Sequence, residues 1–265
     1  MSELHNDDIR IAVRDRYAAI AKGQSGGCGG SSGCCGSPAT QDQRAASASL
    51  GYTAIDISRL PEGANLGLGC GNPQAIAALQ AGETVLDLGS GGGIDCFLAA
   101  QAVGTNGKVI GVDMTPDMVS LARQNAAKGN YTNVDFRLGE IEHLPVGDST
   151  VDVIISNCVI NLSPDKAQVF TEAFRVMRPG ARLAVSDMVA AGAIHLAAMS
   201  DMALYSGCIS GASPVVDLSR MLSEAGFVDI RIHAKDESRA FVKDWAPGTG
   251  VENYVVSASI EARKP

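Results

Sequence analysis

Two periods organise the hydrophobic positions of this chain. Between about Asp7 and Lys22, Ile9, Val13, Tyr17 and Ile20 recur every three to four residues, which predicts a helix capped by Asp7 or Asp8. From Glu83 onward, short apolar runs alternate with helical stretches. Thr84 to Leu88, Val109 to Val112, Val134 to Leu138, Val151 to Ser156 and Leu183 to Ser186 read as buried strands. Helices are expected from about Gly93 to Ala102, Pro116 to Lys128 and Pro164 to Met177, the last stopping at Arg178-Pro179-Gly180. This alternation predicts an α/β fold, a doubly wound and mostly parallel sheet with helices on both faces. Downstream, Pro214 to Ala225 reads as a helix ended by Gly226, and Val228 to His233 and Tyr254 to Ile260 as strands. No helix-length crossover separates those two, so the final pair is expected to be antiparallel.

Other segments carry no period. Gly23 to Gly36 is a Gly/Ser stretch holding Cys28, Cys34 and Cys35, as expected of a mobile loop or linker. Leu50 to Pro61 reads as a second short ordered piece, and Val189 to Ser213, rich in Ala and Gly, as a helical insert over the strand ends. The expected organisation is therefore an N-terminal helix and Cys-rich arm over 1–62, then the main domain over 63–265 with its insert at about 189–213.

Charge and cysteine content narrow the function. A net charge of −8 over 265 residues argues against nucleic-acid binding, which needs clustered Lys and Arg. The longest apolar stretch, Met188 to Ile209, is broken by His195, Asp201 and Ser206, so no membrane span is expected. The charged start MSELHNDDIR has no secretory character, and a cytoplasmic protein is expected. Seven cysteines exclude a fully paired disulfide framework. In a reducing compartment they serve as thiols.

The chemistry begins at Asp87-Leu88-Gly89-Ser90-Gly91-Gly92-Gly93, between the first strand and its helix. A glycine-rich turn in this place also serves dinucleotides. Here the glycines Gly89, Gly91 and Gly93 are more tightly spaced than G-x-G-x-x-G. Asp87 closes the strand two residues earlier, and Asp113 ends the second strand 20 residues after Gly93. Asp113 is placed to accept hydrogen bonds from ribose hydroxyls. S-adenosylmethionine lacks a pyrophosphate and carries cationic sulfonium and amino groups, which suits Asp87. Ser90, Met114 and Asn157 complete the expected cofactor set, with Glu140 or Ile141 beside the adenine.

The acceptor is less directly written. His5, His143, His195 and His233 form no catalytic arrangement in the sequence. Cys158 follows the strand Val151 to Ser156, at the strand end that would face the transferred methyl. Cys208 lies in the insert, and Cys70 in the glycine-rich loop Asn65 to Pro73. Taken singly, each reads more often as a small buried hydrophobe than as a ligand. Together, with no C-x-x-C pair to suggest zinc, they fit a soft, three-coordinate, thiophilic centre better.

These residues carry a resemblance. The runs LPEGANLGLGCGNP (Leu60 to Pro73), DLGSGGGID (Asp87 to Asp95), GEIEHLP (Gly139 to Pro145) and SNCVINL (Ser156 to Leu162), with Ser206-Gly207-Cys208, resemble the arsenite methyltransferases over roughly Val13 to Arg263. The resemblance implies a class I methyltransferase fold and methyl transfer from S-adenosylmethionine to trivalent arsenic, supplied as arsenite or its glutathione or thiol conjugate. It implies that Cys158 and Cys208 bind arsenic, that Cys70 is a third such residue, and that a fourth lies upstream. Cys35 is taken for that part, with Cys28 and Cys34 as alternatives. It also implies a disulfide between Cys70 and the upstream thiol that returns arsenic to the trivalent state, reset by thioredoxin or glutathione. Cys96 matches no such position and reads as packing. Two other functions compete: a methyltransferase for a small organic acceptor of the quinone or sterol type, and a non-enzymatic As(III)-binding protein.

Overall fold

A computed structural model describes residues 3–24, 39–192 and 205–265. The Gly/Ser stretch with Cys28, Cys34 and Cys35, and the 193–204 part of the expected insert with His195, lie outside the described residues.

One sheet dominates. Its strands are β1 (Thr84–Leu88), β2 (Lys108–Asp113), β3 (Val134–Leu138), β4 (Val151–Asn157), β5 (Met177–Ala190), β6 (Ser213–Pro214), β7 (Val228–Lys235) and β8 (Val255–Arg263). The order is β3-β2-β1-β4-β5-β8-β7, with β6 paired to the end of β5. The pairs from β3 through β5 are parallel, and β8 runs antiparallel to both β5 and β7. The order reverses at β1 and β4, so the crevice for a ligand opens beyond Leu88 and Asn157.

Alternation within the strands builds the two faces. Leu86, Leu88, Ile110, Val112 and Ile154 pack into a core with Phe170 of α7 (Lys166–Val176) and Leu218 and Leu222 of α8 (Val215–Glu224). Val85, Val109, Val153 and Ile155 point to the other face. There they meet Phe97 of α5 (Ile94–Val103), and Val119 and Ala122 of α6 (Pro116–Lys128). Thr115 precedes Pro116 at the start of α6, Asp165 caps α7 through the Gln168 N–H, and Gly226, at φ +103°, ends α8.

The expected strands and helices are present, with three differences. First, β5 is much longer than Leu183 to Ser186. It begins at Met177, and a register shift against β4 between Val151 and Val153 absorbs Arg178-Pro179-Gly180. Second, the insert expected to be helical over 189–213 begins and ends as strand, with Val189 and Ala190 paired to Ser213 and Pro214. Third, helices stand where no period announced them. They are α2 (Ala39–Ser49), α3 (Ala54–Ser58), α4 (Gln74–Ala77) and α9 (Arg239–Val242). α2 is built largely from Ala, Ser and Gln, whose small and polar side chains leave no apolar stripe to read.

The N-terminal helix α1 (Glu3–Ala21) packs on α6 and on the 3-10 turn after β4, burying Ile9 and Val13. Lys22 pairs with Asp117 at 3.1 Å, and Arg16 donates to Ser206 Oγ at 2.8 Å. Among the described residues no helix is long and apolar enough to cross a membrane.

Phe97 is fully buried behind the glycine turn, with its ring centroid 4.6 Å from that of Tyr131 and 5.7 Å from that of Phe136. Phe97→Ala removes that support. It is expected to cost about 3–5 kcal/mol in urea unfolding, and a loss below about 1 kcal/mol would contradict this packing account.

Candidate active site

The glycine turn joins β1 to α5 and forms the floor of a cleft. Gly89, Gly91 and Gly93 have φ of +71°, +48° and +98°. A Cβ on Gly89 would lie 2.2 Å from Val159, and one on Gly93 would lie 2.6 Å from the Phe97 ring. The turn therefore needs glycine for its backbone conformation and for its close approach. The Gly91 N–H donates to Asp113 Oδ2 at 2.9 Å and the Thr115 N–H to Oδ1 at 2.8 Å, which ties the two strand ends together.

Three buried acids gather here. Asp87 ends β1 and accepts from the Cys96 thiol at 3.2 Å; burial, reinforced by the charge of Asp95, holds its carboxyl well above the usual range. Burial also raises Asp113, against the two backbone donors just described. Asp95 is pushed up to about 6 by burial, although Tyr52 donates to both its oxygens at 2.8 and 3.0 Å. Among the described residues no side-chain cation pairs with Asp87, Asp95 or Asp113. A cleft that buries three carboxyls without a counter-ion is suited to a cationic ligand.

Asn157, at the end of β4, links this cleft to the thiols. Its amide nitrogen donates to Tyr52 Oη at 2.9 Å and to the Gly71 carbonyl at 2.8 Å. Its oxygen accepts from the Cys70 N–H at 3.0 Å. The next residue, Cys158, adopts φ +59° and donates its N–H to the Ser186 carbonyl at 2.8 Å.

Cys70, Cys158 and Cys208 converge in one buried cluster with Met188 and Tyr205. The Cys208 thiol donates to the Cys158 carbonyl at 2.8 Å, and the Cys70 thiol to the Ser186 carbonyl at 3.6 Å. The sulfurs of Cys70 and Cys158 and one carboxylate oxygen of Asp187 lie within 4.8 Å of one another. Burial pushes Cys70 up to about 11 and Cys158 well above the usual thiol range. Both are protonated thiols when nothing replaces the proton. Asp187 is itself raised to about 6 by burial, against donors from Met188 N at 2.8 Å, Ile160 N at 2.9 Å, and Asn161 N and Nδ2 at 3.3 and 2.9 Å. Cys158 lines both the cofactor cleft and a second cavity that reaches Cys208.

Comparison with known proteins agrees with this geometry. Residues 79–226 match a family described as a methyltransferase domain. An arsenite methyltransferase of Halobacterium salinarum is 52% identical over 98% of this chain and 67% of its own length. The chain belongs to the arsenite methyltransferase family. The mouse arsenite methyltransferase is 38% identical over 57% of this chain, which spans 43% of the mouse protein. The solved structure of an arsenic(III) S-adenosylmethionine methyltransferase from Chlamydomonas reinhardtii superimposes with a TM-score of 0.62. That match is at 33% identity and covers 87% of this chain and 75% of the algal one. The fold is the class I methyltransferase fold, and S-adenosylmethionine is its methyl donor.

In this member of the arsenite methyltransferase family, Asp87, Gly89, Ser90, Gly91, Asp113, Met114, Ile141 and Asn157 all line the cleft. The Ser90 hydroxyl is buried without a hydrogen bond among the described residues. A cationic nucleoside with free hydroxyls and an amino group fits these acids and this orphan hydroxyl. Two expected residues stand apart from the lining. Gly93 sits behind the turn, and Glu140 lies 3.6 Å from Arg10, which lines the cleft together with its other partner Glu142. Cys35 lies outside the described residues. Cys96 packs in the core as expected and adds a hydrogen bond to Asp87. Sequence reasoning missed Asp95, Tyr52, Asp187 and the α1 residues Arg10 and Tyr17. Only Asp95 carried a local signal, an acid in the first turn of a helix, and that ordinarily reads as a helix-dipole partner.

Asp95 gives a pH dependence. Its folded pKa of about 6 exceeds the unfolded carboxylate value. Its contribution to stability is therefore complete below about pH 4 and lost as pH rises through about 6. Asp95→Asn should flatten the fall in unfolding free energy of the ligand-free protein between pH 4.5 and 7.5 by roughly 2–3 kcal/mol. An unchanged slope in urea titrations would refute it.

Proposed function

We propose that the protein methylates trivalent arsenic held by the thiolates of Cys158, Cys208 and Cys70, at the mouth of the S-adenosylmethionine cleft. The observation that carries this reading is Cys158. It belongs to a cluster of three convergent thiols and also borders the cleft of buried acids.

Asp87 and Asp95 would face the charged parts of the donor and Asp113 its ribose hydroxyls, and Ser90 offers its free hydroxyl. When bound there, S-adenosylmethionine would supply an electrophilic methyl group to which the arsenic lone pair donates. The chain has to do three things. It exchanges the thiol protons for As–S bonds, it holds arsenic still beside the cleft, and it keeps water out of a buried site. Burial keeps the thiols protonated until arsenic arrives, and each proton then leaves with an arsenic-bound hydroxide as water, so the exchange releases no net proton. No general base is needed, because the nucleophile is a lone pair and no proton leaves it. Fixed placement supplies the rate.

Transfer leaves arsenic formally pentavalent, and two electrons are then required. We assign them to Cys70 and an N-terminal thiol, Cys35 or its neighbours Cys28 and Cys34, which become a disulfide. Thioredoxin or glutathione would reduce that disulfide. Cys70, Cys96 and Cys158 are free thiols, the form that a reducing compartment would maintain. The seating of Cys158 among thiols favours arsenic over a quinone- or sterol-like acceptor, which would not need them.

Cys158→Ser and Cys208→Ser are each expected to lower arsenite methylation by more than about a hundredfold, worth about 3 kcal/mol. S-adenosylmethionine binding in equilibrium dialysis should stay within about twofold. Normal turnover by either variant, measured by speciating the arsenic products, would overturn the assignment. Cys96→Ser should keep methylation close to wild type, because Cys96 lies outside the thiol cluster and a serine hydroxyl can still donate to Asp87.

A further inference from the structure

The second cavity has a wall that the methyl-transfer reading leaves unused. It is lined by Cys158 and Cys208 together with Tyr17, Leu68, Phe241 and Trp245. Phe241 belongs to α9, and Trp245 follows that helix in the connection from β7 to β8. Their ring centroids are 5.8 Å apart at an interplanar angle of 45°, and both rings pack against the thiol cluster. Cys70, the third thiol, does not line this cavity. Its thiol donates instead to the Ser186 carbonyl at 3.6 Å, with the Cys158 sulfur and an Asp187 oxygen within 4.8 Å.

Coordination chemistry turns this asymmetry into a preference. Inorganic As(III) has three exchangeable positions and uses three thiolates. An arsenical with one As–C bond has two, and its carbon group needs a place with no thiol. Cys158 and Cys208 line one cavity together with the aromatic side chains Tyr17, Phe241 and Trp245, the aliphatic Leu50 and Leu68, and Asp244. Binding of R–As(OH)2 there forms two S–As bonds and breaks two As–O bonds. Each hydroxide leaves as water with a thiol proton, so the exchange balances without an oxidant.

We propose that Phe241 and Trp245 form the subsite for the carbon substituent of organic trivalent arsenicals. The subsite sets how well already methylated or aryl-substituted arsenic is accepted relative to arsenite. This rests on the arsenic-binding role proposed for Cys158 and Cys208. Apolar contact and ring packing against the two side chains favour a methyl group modestly and a phenyl ring strongly. Inorganic arsenic, held by sulfur alone, gains nothing from them.

Trp245 is the only tryptophan of the chain and reports on its own subsite. The reduced full-length protein, without cofactor, is titrated with arsenite and with phenylarsenite while Trp245 emission is followed. Phenylarsenite should change the emission, and Phe241→Ala should weaken its apparent affinity about tenfold while that for arsenite moves less than about twofold. In turnover, Trp245→Ala should lower kcat/KM for methylarsenite severalfold and leave arsenite near wild type, with Trp245→Phe restoring most of the loss. Retained arsenite affinity certifies that each variant is folded. Phe241→Leu and Trp245→Phe give the same comparison if a truncation unfolds. Equal effects of Phe241→Ala on both arsenicals, or none on phenylarsenite, would overturn the subsite and leave arsenic binding intact. Failure of the wild-type protein to bind arsenite at all would overturn the arsenic reading and the subsite with it.

Discussion

The hydrogen bond from the Cys158 N–H to the Ser186 carbonyl, at 2.8 Å, is the constraint on which both cavities depend. It is the last rung between β4 and β5, and the chain leaves the sheet immediately after it through a left-handed residue. One residue earlier, Asn157 still belongs to the sheet and points its amide at Tyr52 and the Cys70 loop. One residue after Ser186, Asp187 gathers the backbone of Ile160 and Asn161 and so fixes where the turned chain goes. A side chain at Cys158 is thereby held between the donor cleft and the second cavity. A non-glycine residue at positive φ costs of order 1 kcal/mol. It persists here because β4, β5 and Asp187 together determine it.

Electrostatics follow from the same placement. Burial raises the carboxyls on the cleft side and the thiols on the cluster side, for one reason and with two outcomes. The acids are poised to ionise when a cation arrives, and the thiols to give up their protons to the hydroxides that arsenic sheds as it bonds to sulfur. In both cases the ligand, not a fixed counter-ion, drives the change. This explains how so many titratable groups coexist around two cavities with few fixed counter-ions.

Much of this was legible in the sequence. The strand-helix alternation, the glycine turn and Asp113 are local patterns, and the structure places them as their spacing implied. Cys70, Cys158 and Cys208 are separated by 88 and 50 residues in the chain, and their convergence came from resemblance more than from spacing. The structure supplies the physical reason. Cys70 is tied to β4 by Asn157 and to β8 by Ser257 Oγ, which donates to its carbonyl at 2.7 Å. Asp187 was invisible because an acid inside an apolar strand has no periodic signature. Phe241 and Trp245 were invisible because they sit in short turns where no period develops.

Those unread residues share a location that bears on how selectivity is built. The donor cleft is floored by the strand-helix series, where each residue is positioned by a sheet with partners on both sides. The second cavity takes Cys158 from that series, and Cys208 from the turns between β5 and β6. Most of its remaining wall comes from the flanks: Tyr17 from α1, Leu50 and Leu68 from the segments before β1, Phe241 and Trp245 from the β7–β8 connection. Tyr17 and Leu68 line both spaces. Flanking segments tolerate change more readily than strands buried on both faces, where a single methylene is felt. Donor binding is thus built on the part of the fold least free to vary. The shape offered to the acceptor is built on parts that can change without disturbing it.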